Sequence, residues 1–317
     1  MAAALVLAIG LAAAGAFAGC DQPLNKTGRP SAAVSSSAHG AVAFVTAKTF
    51  ATSVHPRVTD TWGDIRAREF ITGTFQQYGY LPLTQEFISG AGATRVHSAN
   101  IIAVKEGASA KRLIVGAHYD SAPMGQGYVD NATGIGLLLE AAARVKPQVT
   151  PYTIVFVAFG AEERGMSGSR YYARTMSSLE RRATVGMIDL DAVAGGARLL
   201  VTSRFGGPTW LRDDALAAAG DLGVPLGTSA AVGARPAGVS MAPSDDLPFA
   251  RGEIATAAFA SSDPHRGAGD PGRGLWRTSA DTVTHVEKTY PGRVARQLAD
   301  LSRLLETLLT SKLEKHK

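Results

Sequence analysis

Five short, almost continuous apolar runs set the strongest limit on the fold of this chain. They alternate with stretches of helical apolar spacing, and they cover residues 100–104, 113–117, 153–159, 184–190 and 254–260. A strand that is apolar along its whole length is one covered on both faces, as in a sheet with helices above and below it. The pattern therefore predicts an α/β fold: a three-layer α/β/α sandwich around a mixed, mostly parallel central sheet.

Three segments beside these runs predict helices. Residues 67–78 place apolar side chains at every third or fourth position and are followed by Gly79, a frequent helix stop. Residues 132–145 are apolar almost all round, and residues 294–308 carry one apolar stripe. We expect the middle helix to be buried and the last one to pack against the sheet.

The first 45 residues have a different composition. Residues 1–19 carry no charge and end at Cys20, the single cysteine, as in a bacterial lipoprotein signal peptide. A simple secretory signal or an uncleaved anchor remains an alternative. Residues 20–45 are small and polar, which favours a flexible tether after a lipidated Cys20 and leaves residues 46–317 as the folded domain. Asp21 after the cysteine resembles the Gram-negative sorting signal for the inner membrane. We therefore expect a lipoprotein of the cell envelope that faces the periplasm or exterior.

Ionisable side chains follow three of the apolar runs and precede the buried helix. Taken singly, each has an ordinary explanation, such as a core histidine, a helix cap, a solvated pair or a turn residue. Together in one cleft, such groups repel or desolvate each other unless a cation neutralises them, and zinc accepts mixed nitrogen and oxygen ligands. These groups are His118, Asp120, Asp130, Glu162, Glu163 and Asp191.

The spacing of these residues resembles that of a known family. The segments GAHYDS, GYVDNATG, AFGAEERGMSGS and IDLDAVAG occur in the order found in the co-catalytic zinc aminopeptidases, which also include glutaminyl cyclases and glutamate carboxypeptidases. The resemblance covers roughly residues 55–310 and implies a zinc cofactor, one or two ions, and a peptide substrate. The basic residues are scattered over a chain of net charge +5, so we expect no nucleic-acid partner.

The resemblance also implies a role for each site residue. Glu162 resembles the general base of metal-assisted hydrolysis, and Asp120 resembles the carboxylate that orients the imidazole ligand. The remaining four resemble metal ligands: His118 and Asp191 for one zinc, Asp130 as the bridge, and Glu163 for the second zinc. We find no GxSxG or HExxH motif in the sequence.

Two positions near the carboxyl terminus depart from the family pattern. Asp246 stands where the family motif SDHxPF has histidine. Residues 277–282 resemble the family motif HTxxDT, and Arg277 stands where the family has the histidine ligand of its second zinc. Arginine has no lone pair to offer a cation. Three interpretations stay open. His265 replaces the missing ligand, or the chain is a non-catalytic relative. In the third, the Arg277 guanidinium takes the charge role of the second metal by pairing with Glu163 or Asp130, which leaves one zinc on His118, Asp130 and Asp191.

The function expected from the sequence is a membrane-tethered zinc aminopeptidase that acts on peptides. The alternatives are a single-zinc enzyme similar to glutaminyl cyclase and a tethered binding protein of the same fold without turnover.

Overall fold

The computed structural model describes residues 37–204, 207–228, 243–262, 275–311 and 313. Eight strands form one sheet in the order β1-β2-β4-β3-β5-β8-β6-β7. The central pairs β4/β3, β3/β5 and β5/β8 are parallel, as is the edge pair β6/β7, while β1/β2, β2/β4 and β8/β6 are antiparallel. The mixed, mostly parallel sheet that the sequence predicts is therefore confirmed.

The strands are β1 Leu83–Ser89, β2 Val96–Lys105, β3 Arg112–His118, β4 Thr153–Phe159, β5 Thr184–Leu190, β6 Arg198–Thr202, β7 Leu226–Gly227 and β8 Ala255–Ser262. The α-helices are α1 Ala41–Ser53, α2 Trp62–Gln77, α3 Thr133–Val145, α4 Ser167–Thr175, α5 Ser178–Ala183, α6 Trp210–Leu222, α7 Leu247–Ala250, α8 Val283–Thr289 and α9 Arg293–Thr310.

Helices cover both faces of the sheet, which gives the three layers. In β3, alternate side chains point to opposite faces. Leu113 and Val115 join the larger apolar cluster with α1, α2, α3, α6 and α9. Ile114 joins the smaller cluster, to which Tyr172 of α4 and Phe249 of α7 belong. Because both faces are covered, the central strands need apolar residues throughout, as their sequences have.

The strands that the sequence does not predict are the two edge strands, β1 and β7, and β6, which lies next to β7. In β1 only Phe87 is buried, so its sequence LTQEFIS shows no continuous apolar run. The strands β6 and β7 are five and two residues long. Short or half-exposed edge strands carry little periodic signal.

The folded part begins earlier than the expected boundary at residue 45. Helix α1 starts at Ala41, and Ala43 is fully buried. The Glu140 carboxylate of α3 accepts hydrogen bonds from the backbone N–H groups of Gly40 at 2.8 Å and Ala43 at 2.6 Å. Residues 41–45 are thus part of the fold, because a buried carboxylate binds the start of the helix. The signal peptide, Cys20 and the tether up to residue 36 lie outside the described residues.

Among the described residues, no helix is both long and apolar enough to cross a membrane.

The parallel strands place their carboxyl ends at one edge of the sheet. His118 ends β3, Glu162 and Glu163 follow β4, and Asp191 follows β5 directly. Loops at this edge of an open α/β sheet are where working groups gather.

Candidate active site

His118 lies at the centre of a cluster of carboxylates, and it is almost fully buried. Its Nδ1 lies 3.1 Å from the backbone carbonyl oxygen of Asp120. Its Nε2 lies 3.1 Å from Asp130 Oδ1 and 3.3 Å from Asp191 Oδ1. When Nδ1 carries the proton and donates it to the Asp120 carbonyl, Nε2 keeps a lone pair that points toward the two carboxylates.

The turn that carries Asp130 is held by side chains from distant elements. The carboxylate of Asp281 accepts hydrogen bonds from the N–H groups of Val129 at 2.7 Å and Asp130 at 3.1 Å. Asn131 donates to the carbonyl of Leu190 at 2.8 Å, and the peptide bond between Asp130 and Asn131 is cis. The hydrogen bond to Leu190 fixes the turn to the end of β5, next to Asp191.

Asp120 joins the loops after β3 and β4. Its carboxylate is fully buried and accepts hydrogen bonds from the N–H groups of Glu162 at 2.9 Å and Glu163 at 3.1 Å. The Thr59 hydroxyl donates to it at 3.1 Å, and its Oδ1 lies 3.6 Å from His118 Nδ1. One carboxylate therefore sets the position of the imidazole and of the two glutamates.

Arg57 is a buried cation behind the cluster. It donates to the carbonyls of Tyr119 at 2.7 Å, Gln126 at 2.8 Å and Gly127 at 2.8 Å. These carbonyls belong to the loop after β3 and to the approach to the Asp130 turn. Arg57 thus ties the two loops together, and its positive charge lies among carboxylates.

Three donor atoms of the cluster converge closely enough to share one ion. Ligand atoms of His118, Asp130 and Asp191 all lie within 4.8 Å of one another. Tetrahedral ligands about 2.0–2.1 Å from zinc stand roughly 3.3 Å apart. The distances of 3.1 and 3.3 Å from Nε2 to the two carboxylate oxygens match this spacing. The residues present therefore fit a zinc ion.

The cluster lacks enough positive charge of its own. Burial alone would lower the pKa of His118, but hydrogen bonds to Asp120, Asp130 and Asp191 raise it well above its ordinary value. Burial and neighbouring carboxylates raise the pKa of Glu162 to about 9, against the opposing effect of His118. A bound cation would replace the protons that these groups retain.

The two glutamates after β4 face different partners. Glu162 is buried beside the cluster, and its Oε2 lies 3.7 Å from Arg277 Nη2. Glu163 Oε2 forms a short ion pair with Arg277 Nε at 2.7 Å. Burial and Asp130 raise the pKa of Glu163 to about 7, while His118 and Arg277 oppose the rise. Of the four ligands that the resemblance implies, the structure brings together His118, Asp130 and Asp191, and it pairs Glu163 with Arg277.

Asp246 is the second residue that departs from the family pattern, and it has its own counterion. It is fully buried, and Arg204 binds both of its carboxylate oxygens, with Arg204 Nε at 2.6 Å from Oδ2. An aspartate in place of a histidine is thus balanced by an arginine from the loop after β6. His265, the suggested substitute ligand, lies outside the described residues.

The family model for peptidase family M28 matches residues 100–302. The chain belongs to peptidase family M28. The alkaline phosphatase isozyme conversion protein of Escherichia coli K12 is 29% identical over 303 residues, covering 83% of this chain and 88% of that protein. Aminopeptidase YwaD of Bacillus subtilis is 30% identical over 202 residues, covering 62% of this chain and 42% of that protein.

Solved structures of a zinc aminopeptidase and a glutaminyl cyclase have the same fold. The zinc aminopeptidase BSAP of Bacillus subtilis aligns with a TM-score of 0.72 at 17% identity, covering 88% of this chain and 97% of that one. Porphyromonas gingivalis glutaminyl cyclase aligns with a TM-score of 0.70 at 20% identity, covering 86% of this chain and 98% of that one. At such identities the likeness establishes the fold of the chain and leaves its substrate open.

Sequence reasoning missed the residues that support the cluster from a distance. Thr59 and Arg57 precede the first motif by about sixty positions in the chain, and no local pattern marks them. Asp281 lies within a segment that matches the family pattern, but its acceptor role toward the Asp130 turn depends on a contact across 151 residues.

Proposed function

We propose that this M28 family member is a zinc-dependent exopeptidase, more specifically an aminopeptidase. The observation that carries the proposal is the convergence of His118 Nε2 with Asp130 Oδ1 at 3.1 Å and Asp191 Oδ1 at 3.3 Å. The buried Glu162 beside these donors supplies the acid–base group that peptide hydrolysis needs. The names of the related aminopeptidases support the peptide substrate.

The ligands and their supports have separate tasks. His118, Asp130 and Asp191 would hold the ion, and Asp120 keeps the imidazole and the loop after β4 in place. When bound, zinc supplies Lewis acidity, which acidifies water and polarises a carbonyl group. Glu162 is ionised, and able to accept a proton at its carboxylate, only when positive charge offsets the neighbouring carboxylates. It then takes a proton from the attacking water and passes it to the leaving amine.

Peptide digestion with mass spectrometric detection tests the proposal. The zinc-loaded full chain should release N-terminal residues from a peptide with a free amino terminus and leave the N-acetylated peptide intact. Loss of residues from the carboxyl end, or no loss at all, would contradict aminopeptidase action. A peptide with N-terminal glutamine distinguishes an aminopeptidase from the alternative, an enzyme similar to glutaminyl cyclase. A cyclase removes ammonia from this peptide, whereas an aminopeptidase releases free glutamine.

Glu162→Gln tests the role of the base. We expect kcat to fall roughly 100- to 10,000-fold, the range typical of general acid–base catalysis. Glu86→Gln is the matched control, because Glu86 is an exposed glutamate of the edge strand β1. Equal activity of Glu162→Gln and wild type would exclude Glu162 as the base.

We further propose that the protein is a lipoprotein of the cell envelope, attached through Cys20. Support comes from the uncharged residues 1–19 before the cysteine. A relative in Mycobacterium tuberculosis, 38% identical over 104 residues, is named a probable lipoprotein aminopeptidase. Fractionation of cells that express the full chain or Cys20→Ser tests this. The wild type should partition with membranes and the variant should lose that association, whereas equal partitioning would contradict lipidation.

A further inference from the structure

A fixed positive charge lies beside the metal-binding donors. Arg277 Nε is 2.7 Å from Glu163 Oε2, and Arg277 Nη2 is 3.7 Å from Glu162 Oε2. A guanidinium stays protonated at every physiological pH and has donors but no lone pair. It therefore neutralises carboxylates without binding a cation, and it repels any cation that approaches them.

Glu163 is separate from the donors that converge on one ion. Among the described residues, the close metal-binding group consists of His118, Asp130 and Asp191. One oxygen of Glu163 is taken by Arg277, while Oε1 is buried and has no hydrogen-bond partner in the described part of the chain. Glu163 thus has one oxygen atom that could bind an ion. A second ion would need further ligands beside Glu163, and the Arg277 guanidinium lies there instead.

The backbone at Arg277 also bears on the choice of residue. Its φ is +57°, in the left-handed region, where asparagine, aspartate and histidine are enriched among non-glycine residues. The arginine is therefore not favoured by the backbone, and its side chain is 61% exposed. The side chain instead pairs with Glu163 and Glu162, and histidine or asparagine would fit the same backbone.

We propose, building on the proposed function above, that this chain holds a single metal ion on His118, Asp130 and Asp191, and that the Arg277 guanidinium replaces a second cation by pairing with Glu163. Arg277 is accordingly a positioning residue for the glutamate pair. Exchange of the arginine for histidine removes the fixed charge and adds a nitrogen donor near the Glu163 carboxylate, which should create a second metal site.

Metal stoichiometry tests this proposal independently of turnover. The full chain is stripped with a chelator, dialysed against buffered free zinc, and analysed for zinc per chain by mass spectrometry. We expect one ion in the wild type and two in Arg277→His. Two ions in the wild type, as a ligand such as His265 would produce, overturn the proposal, and so does a single ion in Arg277→His.

Two variants serve as controls. Arg212→His adds a histidine where an arginine pairs with the exposed carboxylate of Asp213, and it should keep one ion. Arg277→Asn suits the same backbone but adds no imidazole. If Arg277→Asn binds one ion, the second ion in Arg277→His is held by the new imidazole. If Arg277→Asn binds two ions, the guanidinium charge is what excludes the second ion from the wild type. Circular dichroism of each variant verifies the fold.

The same samples distinguish the failure of this proposal from the failure of the proposed function. Two zinc ions with peptide hydrolysis in the wild type would overturn the single-ion site and leave the aminopeptidase standing. A wild-type chain that is folded, binds no zinc and hydrolyses no peptide would overturn both.

Discussion

Asp120 is the residue on which most of the site's geometry depends, and Asp120→Asn tests that dependence. The carboxylate accepts hydrogen bonds from two backbone N–H groups, at 2.9 Å from Glu162 and 3.1 Å from Glu163. The amide of asparagine has nearly the same shape but only one oxygen. Its NH2 group must therefore face one of these N–H donors, which leaves a buried donor without an acceptor.

The expected cost follows from that lost acceptor. A buried donor left unsatisfied costs about 1–3 kcal/mol, so we expect the metal-free variant to lose about 2 kcal/mol of unfolding free energy. The imidazole of His118 also loses a neighbouring negative charge, 3.6 Å from its Nδ1. Loss of such support for a ligand typically weakens metal affinity about 10- to 100-fold.

Urea unfolding of the metal-free protein and zinc competition with a chromogenic chelator measure the two effects separately. Thr59→Val is the control, because it removes one of three hydrogen-bond donors to Asp120 and leaves the carboxylate in place. Its zinc affinity should stay within about threefold of wild type, well under the tenfold that corresponds to 1.4 kcal/mol. If Asp120→Asn keeps both the urea midpoint and the zinc affinity of the wild type, the role assigned to this carboxylate is refuted.

Three further perturbations test other parts of the structure. Arg57→Met leaves the carbonyls bound by the guanidinium unpaired and should lower the unfolding free energy by about 3 kcal/mol, and an unchanged urea midpoint would contradict this. Glu140→Gln removes an acceptor from the start of α1, so amide hydrogens of residues 41–53 should exchange faster; wild-type protection there would show that the carboxylate does not anchor the helix. Burial alone would lower the pKa of His118, but hydrogen bonds to Asp120, Asp130 and Asp191 raise it well above its ordinary value. The metal-free imidazole therefore holds its proton more strongly, and zinc must displace that proton to bind. Zinc affinity should then increase as the pH is raised, as titration calorimetry in buffers of different ionisation enthalpy can measure, and a pH-independent affinity would contradict this competition between zinc and the proton.

The central strands could be predicted from the sequence because both faces of the sheet are covered. The run at residues 153–159 coincides with β4, and the run at residues 184–190 coincides with β5. The edge strand β1 could not be found in this way, because its buried side is reduced to Phe87. A strand that is buried on both faces needs apolar residues at every position. This continuous apolar run makes the strand recognisable in the sequence.

The site divides in a similar way. His118 ends β3 and Asp191 follows β5 directly, so the parallel sheet alone brings them to one edge. Arg57 and Thr59 reach the site from the segment between α1 and α2, and Asp281 reaches it from the segment before α8. Their roles depend on contacts between distant parts of the chain, and local sequence patterns do not show such contacts. The sequence left Glu163 and Asp130 as possible partners of Arg277, and the structure shows the ion pair with Glu163.

Reconstitution of the stripped protein tests the central claim most directly. The full chain is freed of metal with a chelator, and hydrolysis of an aminoacyl-nitroanilide is followed as zinc is added back. Hydrolysis should be lost on stripping and should return in proportion to the zinc bound, with no return in His118→Ala. A stripped protein that hydrolyses the substrate as fast as the zinc-loaded one would contradict a metal-dependent site built on His118, Asp130 and Asp191.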